Sequence, residues 1–151
     1  MVLEVKQPRP MWEILFSTHH TDIGLLYLIT SITALMLGGA LALALRAELF
    51  LPGLQIIQDP TSFNRFFTVH GTTMLFLWAI PFAAGVGNYL IPIMVRYKDM
   101  AWPKLNAVAF WMIPVGAALV WLGFADTGWT AYPPYSIIRA PGPAAEMWIF
   151  G

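Results

Sequence analysis

The sequence predicts an all-α integral membrane unit: three transmembrane helices and the start of a fourth, part of a larger helical bundle. Of 151 residues, 58% are apolar. Only 11% are charged, where soluble domains carry about 25%. The apolar residues also gather in long runs without charge, and lipid burial forces such runs to satisfy their backbone as helix.

The first run, Ile23 to Leu45, has 23 residues without a charge. At 1.5 Å per residue it crosses the roughly 30 Å hydrocarbon layer. A cleaved signal peptide is the alternative, but the apolar core is too long for one and two more runs follow. The second run, Phe66 to Val95, is interrupted by His70, Pro81, Asn88 and Pro92, and its prolines are expected to kink it. The third, Ala107 to Phe124, has 18 residues including Pro114, just enough to span. From about Ala144 the chain turns apolar again, as a fourth span would begin. No repeat or interdomain linker interrupts residues 1–151, which read as one N-terminal membrane unit.

Composition also excludes functions. Eight basic residues balance eight acidic ones, which leaves no cationic surface for nucleic acid. The absence of cysteine removes disulfides, zinc-thiolate sites, iron–sulfur clusters and thiol catalysis together. Membrane lipid is the partner that composition favours, with seven Trp and five Tyr suited to the interfaces. Lys6, Arg9, Arg96, Lys98 and Lys104 fall on one side of the spans, against Arg46, Arg65 and Arg139 on the other. The positive-inside rule then places the N-terminus in the cytoplasm.

Polar residues inside a span are costly and usually functional, so His70 is the first to question. Counted from Phe66, it lies about one turn below the outer surface, and Arg46 ends span 1 on that side. Two basic groups at similar depth call for something anionic or metal-bound between them. Haem answers, because imidazole ligates its iron and Arg hydrogen-bonds its oxygen substituents. The alternative is a packed, hydrogen-bonded histidine beside an arginine that snorkels to headgroups. At 100° per residue, His70, Met74, Leu77, Pro81, Ala84 and Asn88 share one stripe. Asp99 lies beyond the inner end of that stripe, with Asn106 following and His20, Asp22 and Tyr27 at the same end of span 1. A hydrated proton path is one reading of that cluster, and an ordinary solvated loop the other. Small residues Ala83, Ala84, Gly85 and Gly87 read as helix packing.

Five ordered strings make the chain resemble subunit I of the haem-copper terminal oxidases. They are Leu45-Arg46-Ala47-Glu48-Leu49 with Pro52-Gly53; Thr68-Val69-His70-Gly71; Gly87-Asn88-Tyr89-Leu90-Ile91-Pro92; Asp99-Met100-Ala101-Trp102-Pro103-Lys104-Leu105-Asn106; and Gly128-Trp129-Thr130-Ala131-Tyr132-Pro133-Pro134. His20 with Asp22-Ile23-Gly24 and Tyr27 resembles the family's opening motif, so the likeness runs from about Trp12 onward.

The resemblance implies roles. His70 matches one axial ligand of the low-spin haem, Arg46 the arginine at that haem's periphery, and Trp129 a tryptophan near its propionates. Asp99 matches the mouth of the proton-uptake D-channel, with Asn88, Asn106, His20 and Tyr27 along or beside it. Glu48, with the Gly53 backbone, matches a peripheral calcium or sodium site. The activity implied is electron transfer to oxygen, giving water, coupled to proton pumping in a prokaryotic plasma membrane. Arg96-Tyr97-Lys98 departs from the family's usual approach to the acid, and Asn106-Ala107 stands where paired asparagines are usual.

The second low-spin haem ligand, the high-spin haem and the copper histidines belong to later helices of the family. These 151 residues are therefore expected to act with the remainder of subunit I and other oxidase subunits, and to be inactive alone. Cytochrome c and quinol both remain open as donor, the Arg46-Ala47-Glu48 string leaning toward cytochrome c. Two other readings stand beside this one. A nitric oxide reductase-like member is disfavoured by Asp99 with Asn88 and Asn106. A small stand-alone accessory or haem-binding membrane protein is the second, two copies of which would supply two His70 ligands.

Overall fold

The computed structural model describes residues 10–53, 55–127, 132–133 and 142–151. All the regular structure it describes is helical. A short α1 (Met11–Leu15) leads into α2 (His20–Glu48), α3 (Pro60–Thr72), a π-helical stretch (Thr73–Ala79), α4 (Ile80–Met94), α5 (Pro103–Gly123) and α6 (Pro143–Phe150). Three continuous helices are long and apolar enough to cross a membrane: His20–Glu48, Pro60–Met94 and Pro103–Gly123. All exceed the uncharged runs, because polar capping residues extend them beyond their apolar cores.

The ends show why. His19 caps α2 through its side chain, which accepts from the Thr21 N–H. Asp59 caps α3: its carboxylate accepts from the Ser62 N–H at 2.8 Å and the Ser62 hydroxyl at 2.6 Å, and Pro60 follows in the first turn. The Ser62 hydroxyl and N–H hold the Asp59 carboxyl below its usual range. The cap is therefore intact at neutral pH and is lost as acid titrates the folded-state carboxylate. At the other end, α4 closes with Tyr97 N–H on the Pro92 carbonyl and Arg96 N–H on that of Ile93, a Schellman pair with Arg96 left-handed at φ 59°.

The expected proline distortion falls one turn early. Pro81 offers no N–H, and its ring crowds the carbonyl four residues back. Upstream of it the chain widens into the π stretch, a known way of accommodating such a break. This shifts the helix phase. The buried face runs Val69, Thr73, Leu77, Pro81, Gly85, Asn88, Pro92. Steps of four drift by about 40° each in a regular α-helix, and the π stretch absorbs that drift. The stripe of His70, Met74, Leu77, Pro81, Ala84 and Asn88 expected at 100° per residue is therefore corrected. His70, Met74 and Ala84 flank the buried face, and Val69, Thr73 and Gly85 occupy it.

Helix α2 is central, lying along α3, the π stretch and α4, while α5 packs chiefly with α6. One apolar cluster joins Ile23, Leu26, Tyr27 and Phe110, with the Tyr27 and Phe110 rings edge-on at 5.2 Å. A second joins Leu41, Val69 and Val120 beneath Phe66, Trp121, Phe124 and Trp148. Many large apolar side chains face outward, among them Leu43, Met94, Met112 and Leu122, as lipid or further helices require.

Contact between α2 and α4 is backbone to backbone. A β-carbon on Gly24 would lie 2.9 Å from the Tyr89 nitrogen, and one on Gly85 2.9 Å from the Tyr27 Cβ. Gly87 meets only the tip of Ile91 at 3.6 Å, and Gly39 meets nothing within 4 Å. Gly85→Leu should thus separate the helices and cost about 1–3 kcal/mol, read as a lower melting temperature of the purified protein. Gly39→Ala should leave it unchanged or slightly raised. Equal effects at the two positions would refute the packing assigned here.

Candidate functional site

Two polar sites lie along α2, about 27 Å apart if measured by the 18 residues from His20 to Gly38. At the far site, the His70 Nδ1 lies 2.9 Å from the Gly38 carbonyl oxygen. A carbonyl only accepts, so Nδ1 carries the proton and Nε2 keeps its lone pair. A fixed Nδ1–H to a backbone carbonyl is the usual orienting contact of a metal-ligating imidazole. The approach depends on Gly38, where a β-carbon would lie 2.9 Å from the Met74 Sδ and 3.1 Å from the Thr73 Cγ2. The Gly38-Gly39 pair was the only trace of this contact in the sequence, and it does not say which glycine makes it.

Arg46 is exposed and stands eight residues beyond Gly38, about 12 Å along the axis. The expectation of equal depth for His70 and Arg46 is thereby corrected. Helix α3 begins at Pro60 rather than near Phe66, so His70 sits ten residues inside it. Trp129 and Arg139 lie outside the described residues.

At the near site the chain brings four predicted residues together. The Asp99 carboxylate accepts from the His20 N–H at 3.0 Å and the Met100 N–H at 2.8 Å. The His20 ring Nδ1 donates to the Asn88 carbonyl at 3.0 Å. The Asn106 amide donates to Asn88 Oδ1 at 2.7 Å, and the Asn88 amide donates back to the Ala84 carbonyl at 3.0 Å. His20 and Asn88 are buried while Asp99 is partly open, so the chain of contacts runs inward from a wetted acid. His19 stacks on His20 at 4.7 Å, which places both at this end and far from His70.

Glu48 ends α2 almost fully buried, with both oxygens engaged. Oε1 accepts from Gln55 N–H, and Oε2 from the N–H groups of Ile56 and Ile57 at 2.6 and 2.8 Å. Gly53 is left-handed at φ 104° in the same loop. Sequence reasoning missed one further contact, from the Trp148 indole N–H to the Thr72 hydroxyl at 2.9 Å, which seats α6 against α3. Neither residue carried a motif.

A three-span helical unit with one oriented imidazole at one end and a carboxylate–amide–imidazole cluster at the other defines a membrane protein of the cofactor-binding, polar-path class. The comparisons sharpen this. The family model for cytochrome c and quinol oxidase polypeptide I matches residues 22–151. The chain belongs to that family. It is 43% identical over 147 residues to cytochrome c oxidase subunit 1 of Corynebacterium efficiens, covering 93% of this chain and 25% of that one. It is 42% identical to the Synechocystis sp. subunit 1, with 97% and 27% covered, and 45% identical to that of Thermostichus vulcanus, with 89% and 25%. The chain thus spans about a quarter of the length of the curated relatives it matches.

Removing the Asn106 amide by Asn106→Ala leaves buried Asn88 Oδ1 without its donor. The expected cost is about 1–3 kcal/mol, measured as a fall in melting temperature of the purified protein. No change would mean that the pair adds nothing to packing.

Proposed function

We propose that residues 1–151 form the first membrane helices of an oxidase subunit I, with the N-terminus cytoplasmic. In this reading they hold one side of a low-spin haem through His70 and open a proton-uptake path at Asp99. The observation that carries it is the His70 Nδ1–H to Gly38 carbonyl bond, which leaves Nε2 ready to ligate. The donor set suits haem: among the described residues no three His, Asp or Glu side chains gather as a multi-ligand metal site would need, and one axial imidazole per face is what haem asks. When bound, the haem supplies one-electron transfer, toward a haem-copper site in the remainder of the subunit.

The chain's own residues do the rest. Gly38 orients His70. Arg46 supplies a guanidinium for charge-assisted hydrogen bonds at the haem periphery, and Trp129 is assigned to the propionate side. Asp99 collects a proton from water, and the Asn88–Asn106 pair with His20 lines the way inward. Glu48 and Gly53 are the family's calcium or sodium position. In this chain the Glu48 carboxylate already serves three N–H donors, so its first role is to fold the loop. Electron donation by cytochrome c, reduction of oxygen to water and proton pumping are activities of the whole complex.

Three variants in the complete oxidase test this. His70→Ala should abolish the low-spin haem optical signal, and an unchanged spectrum would end the ligand assignment. Arg46→Met should shift that haem's absorption maximum or potential with the haem retained; if neither moves, Arg46 is an interfacial anchor. In Asp99→Asn the new side-chain oxygen still accepts from His20 and Met100, so geometry survives and only ionisation is lost. Oxygen turnover in vesicles should fall about tenfold or more with both haems bound. Normal turnover and pumping would return Asp99 to an ordinary loop residue.

A further inference from the structure

The loop joining α2 to α3 carries no charge from Leu49 to Gln58, and its large side chains point outward. Leu49 is 63% exposed, Phe50 83%, Leu51 57% and Ile56 59%. An aqueous loop with such a patch is unfavourable, and patches of this kind mark a membrane or protein contact. The backbone decides between them. Irregular chain enters an apolar medium only where its polar groups are already satisfied. Here five N–H groups are bonded within the chain. Leu49 and Phe50 donate to the carbonyls of Leu45 and Ala47, and Gln55, Ile56 and Ile57 to the buried Glu48 carboxylate. Pro52 has no N–H, and its carbonyl accepts from the Gln55 amide at 3.2 Å. A protein partner would not require this closure, because it can supply hydrogen bonds of its own.

We propose that the 49–57 loop is a lipid-inserted wedge. Its apolar side chains sit at the boundary between phospholipid headgroups and acyl chains, at the end of the spans opposite His20. Glu48 makes this possible by acting as the internal acceptor for the loop. Both flanking helices are membrane spans, so the loop lies at that boundary by connection alone, and its side chains choose the lipid side. The charged residues return at Asp59 and Arg65, where α3 starts.

The chain has no cysteine, so a nitroxide on Phe50→Cys or Leu51→Cys reports that position of subunit I. In the full oxidase complex in phosphatidylcholine vesicles, oxygen should relax these labels more than a water-soluble nickel chelate does. Exposed Gln58→Cys should show the reverse order. Greater relaxation by the chelate at 50 and 51 would make the loop aqueous. Protection from both reagents would mean that protein covers it, and either outcome overturns the proposal. Adding Glu48→Ala to the Phe50→Cys chain should raise chelate access. Unchanged access, or a response of the otherwise native loop to calcium or its chelator, would overturn the role given to Glu48.

Discussion

The close backbone contact of α2 with its neighbours is the constraint on which the rest depends. Gly24 and Gly85 bring α2 and α4 together at one end, and Gly38 admits Thr73 and Met74 at the other. Without the first, His20 would not reach the Asn88 carbonyl. Without the second, the Gly38 carbonyl would not meet His70. In a membrane these contacts gain little from the hydrophobic effect, since lipid is as apolar as Leu, so small residues and a few hydrogen bonds carry the association.

Polar satisfaction is the companion constraint. Asn88, Asn106, His20 and Asp99 satisfy one another across α2, α4, α5 and the loop between the last two. Glu48 does the same for its loop. The buried Thr73 hydroxyl is the exception: it has no hydrogen-bond partner, although Thr72 and Thr33 donate back to carbonyls four residues earlier. It lies at the start of the π stretch, with its methyl toward Gly38. The steps of four along the buried face explain the trade. Holding Val69, Thr73, Leu77 and Pro81 against α2 takes precedence over the hydrogen bond of one hydroxyl.

Span number and type were legible because uncharged runs of 18 or more residues admit one structure in lipid. Membership of a family was legible from ordered strings, and the cluster at Asp99 from its residue types. What could not be read was phase and depth. A stripe drawn at 100° per residue assumes a regular helix, and nothing in Thr73-Met74-Leu75-Phe76 announces a wider turn; only Pro81 hints at it. Depth counted from Phe66 failed because Asp59 and Pro60 start the helix six residues earlier. The partners of His70 and Thr72, Gly38 and Trp148, are remote in sequence and chemically plain, so no local pattern names them.

One helix also acts as a ruler between the two sites. His20 and Gly38 are both on α2, whose rise fixes their separation at about 27 Å. Sites so far apart, sharing no partner, respond independently to side-chain changes. A substitution that displaces α2 itself is different, because Gly24 and Gly38 lie on the same rigid element and its tilt moves both. The proposed haem ligand and the proposed proton entrance are thus coupled through the seating of one helix, not through a chain of side chains. Effects at both ends from a single distant substitution therefore point first to the glycine contacts of α2.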